Sequence, residues 1–317
     1  MALAFIFPGQ GSQAVGMGRE LAEAFPAARA VYEAVDEALG ENLSALIWDG
    51  PIETLTLTQN AQPALMATSL AVMAALKEGF GIEVTAAKFV AGHSLGEYSA
   101  LAAAGALSVP DAAKLLRLRG LSMQKAVPVG EGAMAAILGA EEAQVQKAVE
   151  AGSAAGVVQI ANDNAPGQIV ISGAKAGVEA AIEAAKADGI RKAMLLPVSA
   201  PFHCTLMQPA ADGMAEALKA ATINTPKVPV ITNVTAGPVT DPEAIRAQLV
   251  EQVTGRVRWR ESVIWMAGEG GVTRFAEAGA GKVLSGMLKR TVEGVEGVAL
   301  NGPADLEAFA ASLKGNA

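Results

Sequence analysis

The chain has 317 residues, of which 51% are hydrophobic and only 4% aromatic, and its formal net charge at pH 7 is −8. That length supplies a large core, which excludes a size-limited scaffold and favours one principal domain with a second, smaller one. The acidic balance argues against a broad nucleic-acid surface. The single cysteine, Cys204, excludes an internal disulfide and a structural metal site built from cysteines.

The sequence carries no membrane or export signal. It contains no run of about twenty uninterrupted apolar residues, and its first eight residues have neither a basic leader nor a cleavage-like site. We therefore expect a cytoplasmic protein. The abundance of Ala, Gly and Val predicts helices packed on a mostly parallel sheet, which is the α/β class.

The first part of the chain predicts alternating strands and helices. The run LAFIF, stopped by Pro8-Gly9, is typical of a buried strand that enters a loop. The apolar spacing that follows predicts helices at 17–38 and 61–78, a strand at 88–91 and a helix at 98–104, and later a strand at 228–233 and a helix at 242–253. Between the first two helices we expect a less regular connection.

A different pattern occupies residues 133–199, where the predicted elements follow the order strand, helix, strand, strand, helix, strand. This is the ferredoxin-like arrangement. We predict an inserted ferredoxin-like small domain at 128–199. Residues 1–127 and 200–317 then form a large α/β-hydrolase-like domain with a parallel sheet.

A glycine-flanked serine follows the predicted strand at 88–91, in the sequence Gly92-His93-Ser94-Leu95-Gly96. A nucleophilic hydroxyl at a sharp strand-to-helix turn needs small neighbours so that the turn can close. The backbone N–H groups at the start of the following helix can stabilise an oxyanion. A plain turn is the alternative, and the strand-turn-helix context favours a nucleophile at Ser94.

Two histidines are available as the base that a serine nucleophile needs. His93 directly precedes Ser94, where its side chain diverges from the hydroxyl, so we interpret it as structural. His203 is the remaining candidate, against the alternative of a core histidine. No acidic residue near His203 stands out, because Asp212 and Glu216 belong to the exposed face of a following helix; we predict a Ser-His dyad with a main-chain carbonyl orienting the ring.

Residues 111–123 predict a helix with two arginines on different sides. Arg119 shares a stripe with Leu115, Leu116 and Met123 and is expected to point inward. A buried guanidinium must be paired, and its fork matches a carboxylate. The sequence leaves two partners open: an internal acid or a carboxylate on the substrate.

The loop after the first strand, Pro8-Gly-Gln-Gly-Ser-Gln, lacks the spacing of a phosphate-binding loop. In a serine-elbow fold such a loop can supply one N–H of the oxyanion hole. Gln10 is the candidate, with Leu95 as the other donor. The alternative is a turn that only needs glycine flexibility.

The chain resembles the malonyl-CoA:acyl carrier protein transacylases of fatty acid synthesis. The matching segments span nearly the whole chain in order: FPGQGSQ (7–13), QPAL (62–65), GHSLGEYSAL (92–101), RGLSMQ (119–124), NAPGQIVISG (164–173), PVSAPFHC (197–204) and LVEQ (249–252).

The resemblance implies that Ser94 is acylated, that His203 is its base, and that Arg119 binds the malonyl carboxylate. It also implies further roles near the active site: backbone amides of Gln10 and Leu95 for the oxyanion, the main-chain carbonyl of Gln252 for His203, and positions lining the pocket for Asn162 and Gln62. Phe202, which precedes the histidine, favours malonyl over a branched acyl group, because its bulk would crowd a branched α-carbon.

The implied reaction is a ping-pong transfer from malonyl-CoA, with release of coenzyme A, to the phosphopantetheine thiol of acyl carrier protein. The implied reaction needs no cofactor and no metal. We expect no nucleic-acid or membrane partner and a monomer, although the sequence does not determine the oligomeric state. Two other functions stay open: a serine esterase or thioesterase, and a non-catalytic acyl-carrier-binding protein. The sequence also leaves open whether the carrier serves fatty acid or polyketide assembly.

Acyl carrier proteins of this family are acidic, so a chain of net charge −8 needs a local basic patch near the pocket mouth. The candidates are Arg256, Arg258 and Arg260 in GRVRWR, Arg191 with Lys192, and Lys289 with Arg290.

Overall fold

The chain folds into ten β-strands and fourteen α-helices over residues 2–314, which the computed structural model describes. The strands are β1 (Leu3–Phe7), β2 (Phe89–Gly92), β3 (Gly132–Leu138), β4 (Val158–Ala165), β5 (Gln168–Ala174), β6 (Lys192–Leu195), β7 (Val230–Ile231), β8 (Pro238–Val239), β9 (Arg274–Ala278) and β10 (Glu296–Leu300). The helices are α1 (Arg19–Ala24), α2 (Pro26–Leu39), α3 (Leu43–Asp49), α4 (Ile52–Thr56), α5 (Thr58–Phe80), α6 (Gly96–Ala103), α7 (Val109–Ala126), α8 (Glu142–Gly152), α9 (Lys175–Ala187), α10 (Gln208–Ala220), α11 (Pro242–Thr254), α12 (Trp259–Ala267), α13 (Val283–Thr291) and α14 (Pro303–Lys314).

The larger sheet has six strands in the order β10-β9-β1-β2-β7-β8. Every neighbouring pair is parallel except the β7–β8 hairpin. Strands β1, β2 and β9 are buried at every residue, since helices cover both faces, which explains the uninterrupted apolar run LAFIF. This confirms the predicted α/β class with a parallel sheet.

A second, antiparallel sheet has four strands in the order β4-β5-β3-β6. Its elements follow each other along the chain as strand, helix, strand, strand, helix, strand. Helices α8 and α9 pack against it and bury Val145, Val149, Val178 and Ile182 in a separate apolar cluster. The isolated bridge between Asn162 and Val257 joins this sheet to the segment after α11.

Strands β1 and β2 bring two loops to the same edge of the larger sheet. They are parallel neighbours in a register that pairs Phe7 with Gly92, the last residue of each strand. The loop at 8–13 and the turn at 93–95 therefore leave the sheet side by side at the carboxyl ends of the strands, where open α/β sheets bind ligands.

The predicted helix at 17–38 is wrong as a single element, because the chain forms α1 and α2 with a break at Phe25. Phe25 has φ −129° and ψ 112°, an extended conformation. Since Pro26 follows, the helical conformation at Phe25 is disfavoured sterically. Proline then occupies the first position of α2, where its missing N–H costs no helix bond.

Other predicted elements differ mainly in length. The strand expected at 228–233 is only β7, two residues long, because Pro229 precedes it and the chain turns into β8. The irregular connection expected after α2 contains two short helices, α3 and α4. Within the described part of the chain, no helix has the length and apolar character needed to cross a bilayer.

Gly92 and Gly96 allow β2, α6 and β1 to approach each other closely. A Cβ atom at Gly92 would lie 1.9 Å from the carbonyl carbon and oxygen of Gly96, and one at Gly96 would lie 2.4 Å from the carbonyl oxygen of Phe7. Backbone atoms of packed elements cannot yield to such an overlap.

We therefore expect Gly92→Ala to lower the free energy of unfolding by about 2 kcal/mol or more, measured by urea denaturation. Gly286→Ala is the matched control, because a Cβ atom at that exposed position of α13 would meet no atom within 4 Å. The control should be neutral or stabilising by about 0.5–1 kcal/mol. Equal stabilities for the two variants would contradict this account of the turn.

Candidate active site

Ser94 lies at the tip of the turn between β2 and α6. Its φ is 54°, in the left-handed region that non-glycine residues seldom adopt. The Ser94 N–H donates to Oδ1 of Asn233 at 2.7 Å, and Nδ2 of Asn233 donates to the carbonyl oxygen of Gly92 at 2.7 Å. Asn233 therefore hydrogen-bonds to the backbone at two points of the turn, Gly92 and Ser94. These bonds stabilise the strained conformation that exposes the serine hydroxyl to the cavity.

His203 contacts the serine hydroxyl with one ring nitrogen and a carbonyl with the other. Nε2 lies 2.7 Å from Oγ of Ser94, and Nδ1 lies 2.9 Å from the main-chain oxygen of Gln252. Because a carbonyl oxygen only accepts, Nδ1 carries the hydrogen and Nε2 is free to accept the serine proton. No carboxylate among residues 2–314 hydrogen-bonds to this ring.

The environment of His203 favours the neutral imidazole. Burial lowers its pKa to about 3, and the positive charge of Arg119 acts in the same direction. A neutral ring is the form that can accept a proton, so the histidine is available as a base well below neutral pH.

Arg119 lies on α7 with only 1% of its surface exposed. Nη1 donates to Oε1 of Gln62 at 2.7 Å, and Nη2 donates to Oε1 of Gln252 at 2.8 Å and to Oγ of Ser94 at 3.2 Å. Its guanidinium also lies 5.8 Å from the centroid of the Tyr98 ring. In the described chain these partners are all uncharged, so the internal ion pair that the sequence left open does not form.

Gln62 and Gln10 belong to one hydrogen-bonded chain that ties the first loop to α5. Nε2 of Gln62 donates to the Thr58 hydroxyl at 2.9 Å, and that hydroxyl donates to Oε1 of Gln10 at 2.9 Å. The backbone N–H groups of Gln10 and Leu95 have no acceptor within the described residues, and both residues line the cavity at Ser94. Both groups are thus available to an oxyanion.

A cavity of about 440 Å³ opens in front of Ser94, between the loops of the larger sheet and one face of the smaller one. Met134, Val170, Leu196, Val198 and Phe202 give that face an apolar wall. Polar side chains line the cavity from both sides, with Ser94 and Arg119 on the side of the larger sheet and Asn162, Asn164 and Gln168 on the smaller one. A largely apolar cavity with a few such polar groups suits an acyl group that carries a polar end.

Asn162 lies on β4, is 6% exposed and lines the cavity. A shift in the β4–β5 register between Ile160 and Asn162 accompanies this position. Oδ1 of the neighbouring Asn164 accepts from Nε2 of His93 at 2.7 Å, and the His93 ring also lies 5.8 Å from that of Trp259. His93 therefore contacts the smaller sheet and α12 and not the serine hydroxyl.

Sequence reasoning missed Asn233, the Gln252 side chain and Glu97. Glu97 on α6 is 1% exposed, and burial raises its pKa to about 7 even though nearby hydrogen bonds and Arg119 lower it. The available signal was an acidic residue inside the otherwise uncharged helix GEYSALAA. Nothing comparable marks Asn233 before the fold is known.

The basic segment GRVRWR does not form the free patch considered as a docking surface. Arg256 and Arg260 both bind the carboxylates of Glu142 and Asp163, at distances of 2.7 to 2.9 Å. Arg258 pairs with Glu261 three residues later. These arginines are neutralised within the fold, where they join α8 and β4 to the start of α12.

Comparison with known proteins agrees with this geometry. The family model described as acyl transferase domain matches residues 4–305. A Bacillus subtilis (strain 168) protein named malonyl CoA-acyl carrier protein transacylase is 50% identical over 313 residues, 98% of this chain and 97% of that protein. The chain belongs to the malonyl CoA-acyl carrier protein transacylase family. This confirms the resemblance found in the motifs.

Solved members of the transacylase family share the fold. The acyl-carrier-protein-S-malonyltransferase of Bartonella henselae superposes with a TM-score of 0.96 at 52% identity, over 99% of this chain and all of that one. A malonyl-transacylase solved in complex with its type II PKS acyl-carrier protein superposes with a TM-score of 0.95 at 41% identity, covering 98% and 100% of the two chains.

The depressed pKa of His203 predicts how acylation of Ser94 depends on pH. With an uncharged acyl group such as the acetyl of acetyl-CoA, we expect the acylation rate to change less than about threefold between pH 5 and pH 7, because the base stays deprotonated above its folded-state pKa. A histidine of ordinary pKa would lose more than about tenfold over that range.

The acylation rate is measured by stopped-flow kinetics. Near-ultraviolet circular dichroism on the same samples excludes acid unfolding. A tenfold loss per pH unit below pH 6.5 in folded enzyme would contradict a desolvated neutral base.

Proposed function

We propose that this protein is a malonyl-CoA:acyl carrier protein S-malonyltransferase of fatty acid biosynthesis. The observation that carries the proposal is a buried guanidinium, Arg119, within hydrogen-bond distance of the Ser94 hydroxyl and paired only with uncharged groups. A malonyl group offers a thioester to the serine and a carboxylate to the arginine. The printed names of the relatives support the same substrate and carrier.

The first half-reaction forms a malonyl ester on Ser94. Nε2 of His203 takes the hydroxyl proton while Oγ attacks the thioester carbonyl. The backbone N–H groups of Gln10 and Leu95 stabilise the tetrahedral oxyanion. As the C–S bond breaks, the imidazolium returns the proton to the sulfur of coenzyme A. The Gln252 carbonyl holds the ring in the required tautomer throughout.

The second half-reaction repeats these steps with a different thiol. The phosphopantetheine thiol of acyl carrier protein gives its proton to Nε2 of His203 and attacks the malonyl ester. When the tetrahedral intermediate collapses, the proton passes to Oγ of Ser94 and the malonyl thioester leaves on the carrier. Arg119 keeps the carboxylate fixed in both halves, so the reacting carbonyl stays in register.

The remaining site residues shape the acyl pocket. Gln62 fixes Arg119 through its side-chain oxygen, and Asn162 offers an amide to the acyl group from the opposite sheet. Phe202 lies in the cavity wall directly before His203. Its ring restricts the space for a branch at the α-carbon, which favours malonyl over methylmalonyl.

The two sheets support a division into a large α/β-hydrolase-like domain, residues 1–127 and 200–317, and an inserted ferredoxin-like domain, residues 128–199. Numbering the smaller sheet's strands from the first, their spatial order is 2-3-1-4 with antiparallel pairing throughout. We propose a cytoplasmic monomer that uses no metal or cofactor and binds neither nucleic acid nor membrane.

A basic rim beside the cavity remains for the acidic carrier protein once GRVRWR is set aside. Arg191 and Lys192 are exposed at the start of β6, five and four residues before the cavity wall at Leu196. Lys289 and Arg290 are exposed on α13, and Nη2 of Arg290 donates to Gln168 of the same cavity at 3.1 Å. None of these four forms an ion pair within residues 2–314.

Arg119→Ala should lower kcat/KM for malonyl transfer about ten- to hundredfold more than for acetyl transfer, because acetyl offers no carboxylate to the guanidinium. Arg117→Ala is the matched control: it lies on the same helix, faces the other side and pairs with Glu41 and Asn60. Steady-state transfer of both acyl groups by both variants makes the comparison. Equal losses for the two acyl groups in Arg119→Ala would remove carboxylate recognition from the proposal.

Raising the ionic strength should increase KM for the carrier protein several-fold, because salt screens attraction between the basic rim and an acidic partner. Lys192→Ala should weaken that salt dependence. Lys186→Ala should not, since Lys186 lies on α9 and pairs with Glu183 at 2.9 Å. A salt-independent KM in the unmodified protein would exclude the rim as the docking surface.

A further inference from the structure

Gln252 on α11 contacts both functional side chains through different atoms. Its main-chain oxygen accepts from Nδ1 of His203 at 2.9 Å, and its side-chain Oε1 accepts from Nη2 of Arg119 at 2.8 Å. The residue is completely buried. A change in how Gln252 is held therefore reaches the base through the backbone and the arginine through the side chain.

The orientation of the Gln252 amide follows from its neighbours. Nε2 donates to Oε2 of Glu97 at 3.0 Å, to the main-chain oxygen of Ser94 at 3.0 Å and, at the longer distance of 3.4 Å, to Oδ1 of Asn233. A rotated amide would turn Oε1 toward these acceptors and Nε2 toward the N–H groups of Arg119. Both contacts would be repulsive, so the acceptors on one side determine that the oxygen faces the guanidinium.

Glu97 is the nearer of the two side-chain acceptors that face the Gln252 amide. Its Oε2 also accepts from the main-chain N–H of Asn233 at 2.9 Å, while its Oε1 is buried without a hydrogen-bond partner in the described chain. Oε2 can accept in either protonation state of the carboxyl group, because a proton has a place on Oε1. Glu97 forms no ion pair or hydrogen bond with Arg119, although the two charges attract each other. Its hydrogen-bonded route to the guanidinium runs through Gln252.

We propose that Glu97 is a positioning residue for carboxylate recognition, which holds the Gln252 amide in the one orientation that keeps Arg119 against Ser94. The inference rests on the proposed malonyl transfer and adds a residue to it. If Glu97 acts this way, its loss misplaces the guanidinium more than the histidine, because the main-chain carbonyl of Gln252 is fixed by α11. The selectivity for malonyl over acetyl then falls.

Two substitutions separate the acceptor from the rest of the side chain. Glu97→Gln keeps an oxygen that can accept from Gln252 and Asn233, and we expect its malonyl-to-acetyl ratio of kcat/KM to stay within about threefold of the unmodified protein. Glu97→Met fills similar space without an acceptor, and its ratio should fall about tenfold. Both substrates are assayed on one preparation, so the ratio does not depend on the folded fraction.

A double-mutant cycle tests the route through Gln252. Gln252→Met keeps the main-chain carbonyl for His203 and removes only the amide, so it should lower the ratio about as much as Glu97→Met. Combining the two should give no further loss, because they interrupt the same contact. If Glu97→Met yields no active protein, Gln252→Met and Glu97→Gln still test the assignment.

Glu277 supplies the control, since it is fully buried and accepts from the backbone N–H groups of Leu284 and Ser285 at 3.1 and 2.8 Å, at the start of α13. Glu277→Gln and Glu277→Met should leave the ratio unchanged even if they lower stability.

An unchanged ratio in Glu97→Met, an equal fall in Glu97→Gln, or additive losses in the cycle would each overturn the proposal. Failure of the unmodified protein to become malonylated on Ser94 would instead overturn the proposed function, so the two failures are distinguishable.

Discussion

The positive charge of Arg119, buried beside Ser94 and forming no ion pair within residues 2–314, is the constraint that the site is built around. Burying a guanidinium costs free energy unless its N–H groups find acceptors. Here Gln62 on α5 and Gln252 on α11 supply amide oxygens, and Tyr98 on α6 supplies an aromatic ring. Helices α5 and α11, which are distant from α7 in sequence, must therefore converge on it together with the adjacent α6. In the proposed function the substrate carboxylate balances the charge.

The same constraint explains why the histidine needs no acid. A carboxylate beside His203 would also lie near Arg119 and would compete for it with the substrate carboxylate that we propose. A main-chain carbonyl fixes the ring tautomer without adding charge, and burial next to a guanidinium keeps the imidazole neutral. The Ser94–His203 pair and the proposed carboxylate pocket therefore share one electrostatic constraint, which is the buried charge of Arg119.

Much of the site could be predicted because the chemistry restricts the residue types. Only one histidine was a candidate base for Ser94, and helical spacing alone predicted that Arg119 points inward. The break at Phe25 was also predictable from Pro26, although the apolar spacing hid it. By contrast, the hydrogen bond from Asn233 to Glu97 joins residues 136 positions apart, and no local pattern encodes such contacts. The pairing of GRVRWR with Glu142 and Asp163 depends on tertiary packing in the same way.

The intact mass of the protein, before and after carrier protein is added, tests the central claim most directly. After exposure to an equal mixture of malonyl-CoA and acetyl-CoA, the account predicts a mass increase of one malonyl group on Ser94, absent in Ser94→Ala. Holo carrier protein should then remove that group, and the carrier should gain it. Preferential acetylation, or loss of the malonyl group to water at the same rate without carrier, would contradict a carboxylate-selective transferase.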